Sequence, residues 1–281
     1  MKIAISGATG FIGTHLTRYL SGQGHEVTGL GRKWFGRGNA DHLAKLMEGM
    51  DVVINLAGAP VNHRWTAYKQ ELYDSRIIPT RMLVDAINRT VRVRLFISAS
   101  AVGYYPSRGC YDEYSHVKSD GFLAGLCRAW EAEAGLIRKS ARLIITRFGV
   151  VLSPEGGAFL QLIRPLQSRL ATVIGSGNQP FTWIALTDLI GAMGFVIDQP
   201  GWSGVFNFVT PEQTTNAAFT AALARRYHAR LTVKLPTVFF RLFYGEGAVL
   251  LTEGQCVKPT RLLEKEFQFQ APTVEAFFKR I

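Results

Sequence analysis

The chain has 281 residues, of which 47% are hydrophobic and 19% charged. That length suits one doubly wound α/β domain with an added lobe, and the composition excludes long disordered tracts. Lysine and arginine number 32 against 21 aspartates and glutamates, a net charge of +11. The cations are scattered, however, and no apolar run reaches the roughly 18 residues of a membrane span, so neither a specific nucleic acid nor a membrane is expected as a partner.

Met1 to Ile5 leads straight into a glycine-rich turn and lacks the apolar stretch and cleavage site of a signal peptide, so a cytoplasmic location is expected. Lys2–Ser6 reads as a strand and Phe11–Gln23 as a helix, with Ile12, Leu16 and Leu20 on one side. His25–Leu30 and Asp51–Leu56 are the next strands. Pro79–Asn88 has helical spacing through Met82, Leu83, Ala86 and Ile87. Val91–Ser98 reads as a buried strand, Asp120–Ile137 as a helix capped by Asp120, and Leu143–Phe148 as another strand. This alternation predicts an α/β fold, a Rossmann-type doubly wound parallel sheet with a smaller C-terminal lobe.

After residue 150 the pattern loosens. Gly156-Gly157, Gly175-Ser176-Gly177 and Pro200–Gly204 punctuate shorter elements, and Val205–Val209 reads as a further strand. From Leu235 the chain is aromatic and apolar. Residues 1–234 are expected to form a dinucleotide-binding domain with lobe insertions after about 150. Residues 235–281 are expected to pack on that lobe rather than fold alone.

The strongest chemical signal is Ser6-Gly7-Ala8-Thr9-Gly10-Phe11-Ile12-Gly13, a GxxGxxG turn between a strand and a helix. Gly7 permits the tight turn, Gly10 admits a pyrophosphate close to the backbone, and Gly13 lets the helix approach the strand. The unpaired N–H groups of the helix start, at Phe11 and Ile12 after Thr9, then face the phosphates. At the end of the second strand, where an NAD site carries an acid for the ribose hydroxyl, stand Arg32 and Lys33, with Arg37 following. A guanidinium there suits a 2′-phosphate, so NADP(H) is the expected cofactor; the competing reading of Arg32 is a solvated surface cation. Leu56-Ala57-Gly58, after Asn55, offers small residues against which the adenosine portion can lie.

With these residues in view, the chain resembles the extended short-chain dehydrogenase/reductase superfamily. The closer likeness is to an atypical group of NAD-dependent epimerase/dehydratase-like proteins with a short C-terminal domain of unknown function. The marks are Gly7–Gly13, Asn55–Gly58, Arg64-Trp65, Ser75-Arg76, Ser98–Tyr105, Trp130-Glu131 and Arg147–Leu152. They continue through Ile174–Gly177, Trp183-Ile184 with Asp188, Phe206-Asn207, Gly245-Glu246 and Gly254-Gln255. The resemblance implies cofactor contacts at Arg32, Leu56, Ala57, Glu71, Arg76 and Val151; Glu71 and Arg76 also read as an exposed helix pair.

The superfamily works with a tyrosine, a lysine four residues on, and a serine that bonds the substrate oxygen. Ser100 matches the serine, and it also reads as a strand-end serine bonded to backbone. Tyr114 and Lys118 form a literal YxxxK, but they fall in the loop before a helix, where the two side chains do not share a face. Inside that helix Phe122 and Leu126 hold the one-turn spacing, and Tyr104 and Tyr105 are further phenols near Ser100. The expected function is an NADP(H)-dependent oxidoreductase or epimerase-like enzyme acting on a small-molecule substrate by hydride transfer. The alternative is a non-catalytic NADP(H)-binding redox sensor or regulatory protein. No metal is expected, since the histidines and cysteines lack ligand spacing. Cys110, Cys127 and Cys256, odd in number and far apart, are expected to be reduced and mostly buried.

Overall fold

Ile3–Ile5, Val52–Ile54 and Phe96-Ile97 are buried on both faces, as strands covered by helices on each side must be. A computed structural model describes the whole chain except residues 37, 62, 63, 66, 67 and 139, and it describes residue 244 by its backbone alone. The first half runs β1 (Lys2–Ser6), α1 (Phe11–Gly22), β2 (Glu26–Leu30), α2 (Ala40–Met47), β3 (Val52–Asn55) and α3 (Lys69–Asn88). It continues with β4 (Leu95–Ala101), β5 (Cys110–Tyr111), α4 (Phe122–Ala134) and β6 (Arg142–Phe148). Next come β7 (Val150–Ser153), β8 (Gly156–Gly157), α5 (Ala158–Ile163), β9 (Leu170–Ile174), β10 (Trp183–Ala185) and α6 (Leu186–Ile197). The remainder is β11 (Gly204–Phe208), α7 (Asn216–Arg226), β12 (Leu231–Leu235), α8 (Thr237–Tyr244), α9 (Val249–Thr252), β13 (Cys256–Val257), α10 (Thr260–Glu264) and α11 (Val274–Phe278).

The main sheet has the order β11-β6-β4-β3-β1-β2, and all its pairings are parallel. From β1 the chain moves to β2 on one side and to β3 on the other, so a crevice opens at the carboxyl ends of β1 and β3, where doubly wound sheets bind ligands. One face is covered by α1 and α6 through Leu16, Leu20, Leu189 and Met193. The other is covered by α2 and α3 through Leu43, Met47, Leu83 and Ile87. The smaller lobe has its own aromatic core of Phe159, Trp183, Phe219 and Phe277. The C-terminal segment feeds both regions, with Leu262 in the sheet core and Val274 and Phe277 in the lobe.

Most element boundaries shift by one to three residues from those read in the sequence, and three shifts have an evident cause or consequence. Helix α3 begins at Lys69, ten residues before the expected start, and Pro79 lies inside it. Leu72, Arg76 and Ile77 are buried along the added turns, and that packing outweighs the backbone bond that proline removes. Strand β4 begins at Leu95 rather than Val91, which is exposed. Helix α4 starts after Gly121 (φ 92°) rather than at Asp120.

The cysteines also differ. Cys110 and Cys256 form a disulfide, and Cys127 is free and buried. The pairing follows from topology: β5 and β13 run parallel with Cys110 directly opposite Cys256, a meeting of two segments 146 residues apart that spacing along the chain does not reveal.

Candidate functional site

The turn after β1 is built from close approach. Gly7 has φ +71°, and a β-carbon on it would lie 2.8 Å from the Leu56 carbonyl oxygen. The Gly10 N–H donates to the Gly7 carbonyl at 2.9 Å, and Gly10 then caps α1 without any side-chain bond and with no acid in the first turn. The first N–H groups of α1 thus remain available, at the positive end of its dipole. Thr9 and Gly10 are exposed. Phe11 and Ile12 pack against the sheet core, as does Val151 on β7. Gly156 and Gly157 lie over the Phe11 ring, leaving no room for a β-carbon (2.8 and 3.0 Å), so the β7–β8 hairpin closes over the start of α1.

A buried chain of hydrogen bonds fixes the next loop. Ser6 Oγ donates to Asn55 Oδ1 at 2.6 Å, Asn55 Nδ2 donates to Thr80 Oγ1 at 2.7 Å, and Thr80 Oγ1 donates to the Arg76 carbonyl at 2.6 Å. Trp130 Nε1 donates to the same Thr80 hydroxyl at 2.9 Å. At the other end Ser6 Oγ accepts from the Ala57 N–H at 3.3 Å. The segment Leu56–Gly58 is thereby held at the mouth of the crevice.

Arg76 lies beneath this segment. Its guanidinium is buried, donates to the Leu72 and Ala59 carbonyls at 3.0 Å each, and stacks near the Trp130 ring. Burial pushes its pKa below the usual guanidinium value. A β-carbon on Gly58 would lie 3.1 Å from Arg76 Cζ, so the small residue at 58 is needed by the arginine under it. Glu71 is exposed in the first turn of α3.

Arg32 opens a 3-10 turn, Arg32–Phe35, which is anchored by Trp34 and Phe35 on the core. Its own side chain is exposed and makes no hydrogen bond or ion pair among the described residues. Arg37 lies outside the described residues. Tyr68, next to α3, was not singled out by the sequence. Burial chiefly raises the Tyr68 phenol pKa, Glu71 adds to that, and Arg76 and Arg32 oppose it. Arg32, Glu71 and Arg76 thus lie within electrostatic reach of the Tyr68 phenol.

At the end of β4 the hydroxyl of Ser100, a buried residue, donates to Glu131 Oε1 at 2.6 Å. Glu131 in turn receives two bonds from Arg147, Nε to Oε1 at 2.8 Å and Nη2 to Oε2 at 2.7 Å. The Arg147 guanidinium stacks 3.4 Å over the Tyr104 ring and 4.8 Å from that of Tyr105. Burial works against the Arg147 charge, but the bonds and charge of Glu131 outweigh it and hold its pKa above the usual value. The sequence pointed to Ser100 but not to this Ser100–Glu131–Arg147 set. The available signal was a pair of opposite charges placed in otherwise apolar elements. While the bond to Glu131 stands, Ser100 has no hydrogen bond to donate to a substrate oxygen; its lone pairs can accept one from a substrate hydroxyl.

Tyr114 and Lys118 are exposed in irregular chain before α4, and Tyr114 donates to Glu264. On α4 itself, Phe122 packs with Trp65 and Leu126 is buried in the same cluster, which Val249 and Leu250 of α9 complete. No group of three metal-ligating side chains occurs among the described residues, and no described helix is long and apolar enough to cross a membrane.

Comparison with known proteins agrees with this architecture. Residues 3–208 match the NAD dependent epimerase/dehydratase family, and residues 235–281 match a domain of unknown function (DUF1731). Epimerase family protein SDR39U1 of Homo sapiens is 36% identical over 100% of this chain and 99% of its own length. Epimerase family protein Mb2239 of Mycobacterium bovis is 38% identical over 97% of this chain and 94% of its own. The crystal structure of human SDR39U1 (isoform 2) with NADPH superposes with a TM-score of 0.92 at 34% identity, covering 100% of this chain and 99% of that one. A dTDP-4-dehydrorhamnose reductase from Bacillus anthracis in complex with NADP shares the fold at a TM-score of 0.80 and 16% identity, covering 99% of this chain and 97% of that one.

Proposed function

The chain belongs to the NAD dependent epimerase/dehydratase family, and from that premise we propose that it binds NADP(H) and acts as an oxidoreductase or epimerase-like enzyme on a small molecule. The observation that carries the cofactor choice is Arg32. It is an uncommitted, exposed cation at the end of β2, where an acid would select NAD. The rest of the crevice fits the same group. The α1 start has no side-chain cap and no acids in its first turn, and the turn before it has no space for a side chain at Gly7. The human relative whose structure matches over its whole length is a complex with NADPH.

In this reading Gly7, Gly10 and the first turn of α1 seat the pyrophosphate, Arg32 takes the 2′-phosphate, and Leu56–Gly58 flanks the adenosine. Glu71, Arg76 and Val151 shape the walls, Arg76 by supporting the loop. When bound, the cofactor supplies or accepts a hydride. Ser100, its proton committed to Glu131, would accept a hydrogen bond from a substrate hydroxyl rather than donate one to a carbonyl.

A second reading is a non-catalytic NADP(H) sensor. It is favoured by the apolar packing of Phe122 and Leu126 and by the bond that ties Tyr114, in irregular chain before α4, to Glu264 of α10.

The test is a fluorescence titration with NADPH and NADH, with Arg32→Glu alongside. NADPH should bind more tightly than NADH, and the variant should weaken NADPH by roughly 10–100-fold, the worth of a charged hydrogen bond. Equal affinities for both cofactors in both proteins would sink the assignment. Hydride exchange from 4-deuterated NADPH into a panel of carbonyl and sugar-nucleotide substrates separates enzyme from sensor.

A further inference from the structure

Helix α8 is inside out. Val238, Phe239, Leu242 and Phe243 fall within one side of the helix at 100° per residue, and that side faces solvent with the four residues 51–69% exposed. Arg241, also exposed, lies on its rim, while Phe240 on the far side is half-buried. The helix is tied down at its start: the Gly175 N–H donates to the Leu235 carbonyl at 2.8 Å, and Thr237 packs on Gly175.

The charge around it is mostly positive, and Glu246, just past α8, is paired with Lys69. Residues 156–187 and 213–245 contain no aspartate or glutamate, but they carry Arg164, Arg169, Arg225, Arg226, Arg230, Lys234 and Arg241, all exposed. The two stretches are joined by the β9–β12 ladder and by the bond from the Arg230 N–H to the Arg169 carbonyl at 2.8 Å. Arg169, Arg230 and the exposed Leu231 therefore stand at one end of this ribbon, and Lys234 and α8 at the other. Among the described residues the side-chain carboxylate nearest to any of these cations is Glu275, 3.9 Å from Arg225, and Arg226 donates to the Ile281 carbonyl oxygen at 2.9 Å.

We propose that this face of the smaller lobe docks on an anionic lipid surface, with the α8 stripe entering the acyl boundary and the arginines and lysine at the headgroups. A chain can lack a spanning run and still lie on a bilayer. A nucleic acid would use the cations but leave four large apolar side chains in water. A second copy of the chain would crowd the cations of two lobes together, Arg230, Lys234 and Arg241 among them, with the neighbouring Glu246 already paired to Lys69. A protein groove would have to hold a stripe only about 12 Å long, too small for the roughly 1,000 Å² of a stable interface, whereas a bilayer demands no complementary shape.

The experiment is flotation of the full chain with vesicles of phosphatidylcholine alone or mixed with phosphatidylglycerol. The protein should float with the anionic vesicles and not with the neutral ones, and added salt should release it. The variant Phe239→Ser/Leu242→Ser/Phe243→Ser should lose about tenfold or more of that binding, and so should Arg230→Glu/Lys234→Glu, with the apolar stripe intact. Thermal unfolding should show that both variants keep the fold, since all five side chains are exposed. Absence of binding to anionic vesicles, or undiminished binding by either variant, overturns the proposal. So does sedimentation of the chain as a dimer that the triple serine variant dissociates, which would assign the face to a second copy.

Discussion

A β-carbon on Gly13 would lie 2.1 Å from the Gly7 carbonyl oxygen, and 2.8 and 2.9 Å from backbone atoms of Ala8. No side-chain rotation relieves a clash with backbone, so the first turn of α1 and the turn beneath it must part. Gly13→Ala is expected to destabilise the fold by about 1–3 kcal/mol, the range for overpacked interiors, and to weaken NADPH binding with it. Gly22→Ala, at the open end of the same helix with nothing within 4 Å, should instead stabilise by about 0.4–1 kcal/mol. Urea unfolding of the pair checks this. Equal stabilities would mean that the close approach is not needed.

The Glu131–Arg147 pair, with side chains 11% and 6% exposed, gives a non-additive prediction. Arg147→Ala leaves a carboxylate buried without its partner and should destabilise by about 3–5 kcal/mol. Replacing both charges at once, with Glu131→Leu and Arg147→Met, should cost less than that single change. A double variant less stable than Arg147→Ala would show that the pair contributes more attraction than its desolvation takes away.

Burial raises the pKa of Glu113, against the pull of the Asn207, Glu113 and Arg261 backbone N–H groups. A carboxyl with a raised folded pKa binds more protons folded than unfolded. Its contribution to stability is full below the ordinary value of about 4 and is lost as pH rises through the folded value. Asp188, bonded to the Gln270 and Ala271 N–H groups and raised by burial, follows the same sign. Glu113→Gln should therefore be more harmful relative to the native chain at low pH than at neutral pH, as read from denaturation midpoints across that range. A deficit that grows with pH would mean that the pKa is depressed.

Thiol chemistry tests the cysteine arrangement. Burial, chiefly, pushes Cys127 up to about 11, so its thiolate is scarce and inaccessible. A thiol reagent should find no reactive group in the native oxidised chain, one after denaturation, and three after denaturation with reduction. Two titratable thiols in the native state would show Cys110 and Cys256 unbridged.

The legible parts of this protein were local. The strand, turn and helix of Lys2–Gly22 lie in one continuous stretch, and both the period and the glycine spacing point to the same structure there. Arg32 stands out because of what is missing beside it. What could not be read depends on distant segments meeting. Cys110 finds Cys256 through a ladder between separate loops. Arg76 reads as an exposed helix residue until the 57–59 loop is laid over it. Helix α3 begins early because Leu72 and Ile77 are buried by partners elsewhere in the chain, which local propensity at Pro79 does not register.

The Thr80 hydroxyl has one proton and two lone pairs, and all are in use, toward the Arg76 carbonyl and from Asn55 and Trp130. That saturation gives the network a direction. Asn55 has to present its amide nitrogen to Thr80 and its oxygen to Ser6, and Ser6 is left with a lone pair for the Ala57 N–H. The orientation of the Leu56–Gly58 loop, which we propose flanks the cofactor, is thus set by a threonine buried in α3. Selection on binding can act there without leaving a mark at the mouth of the crevice.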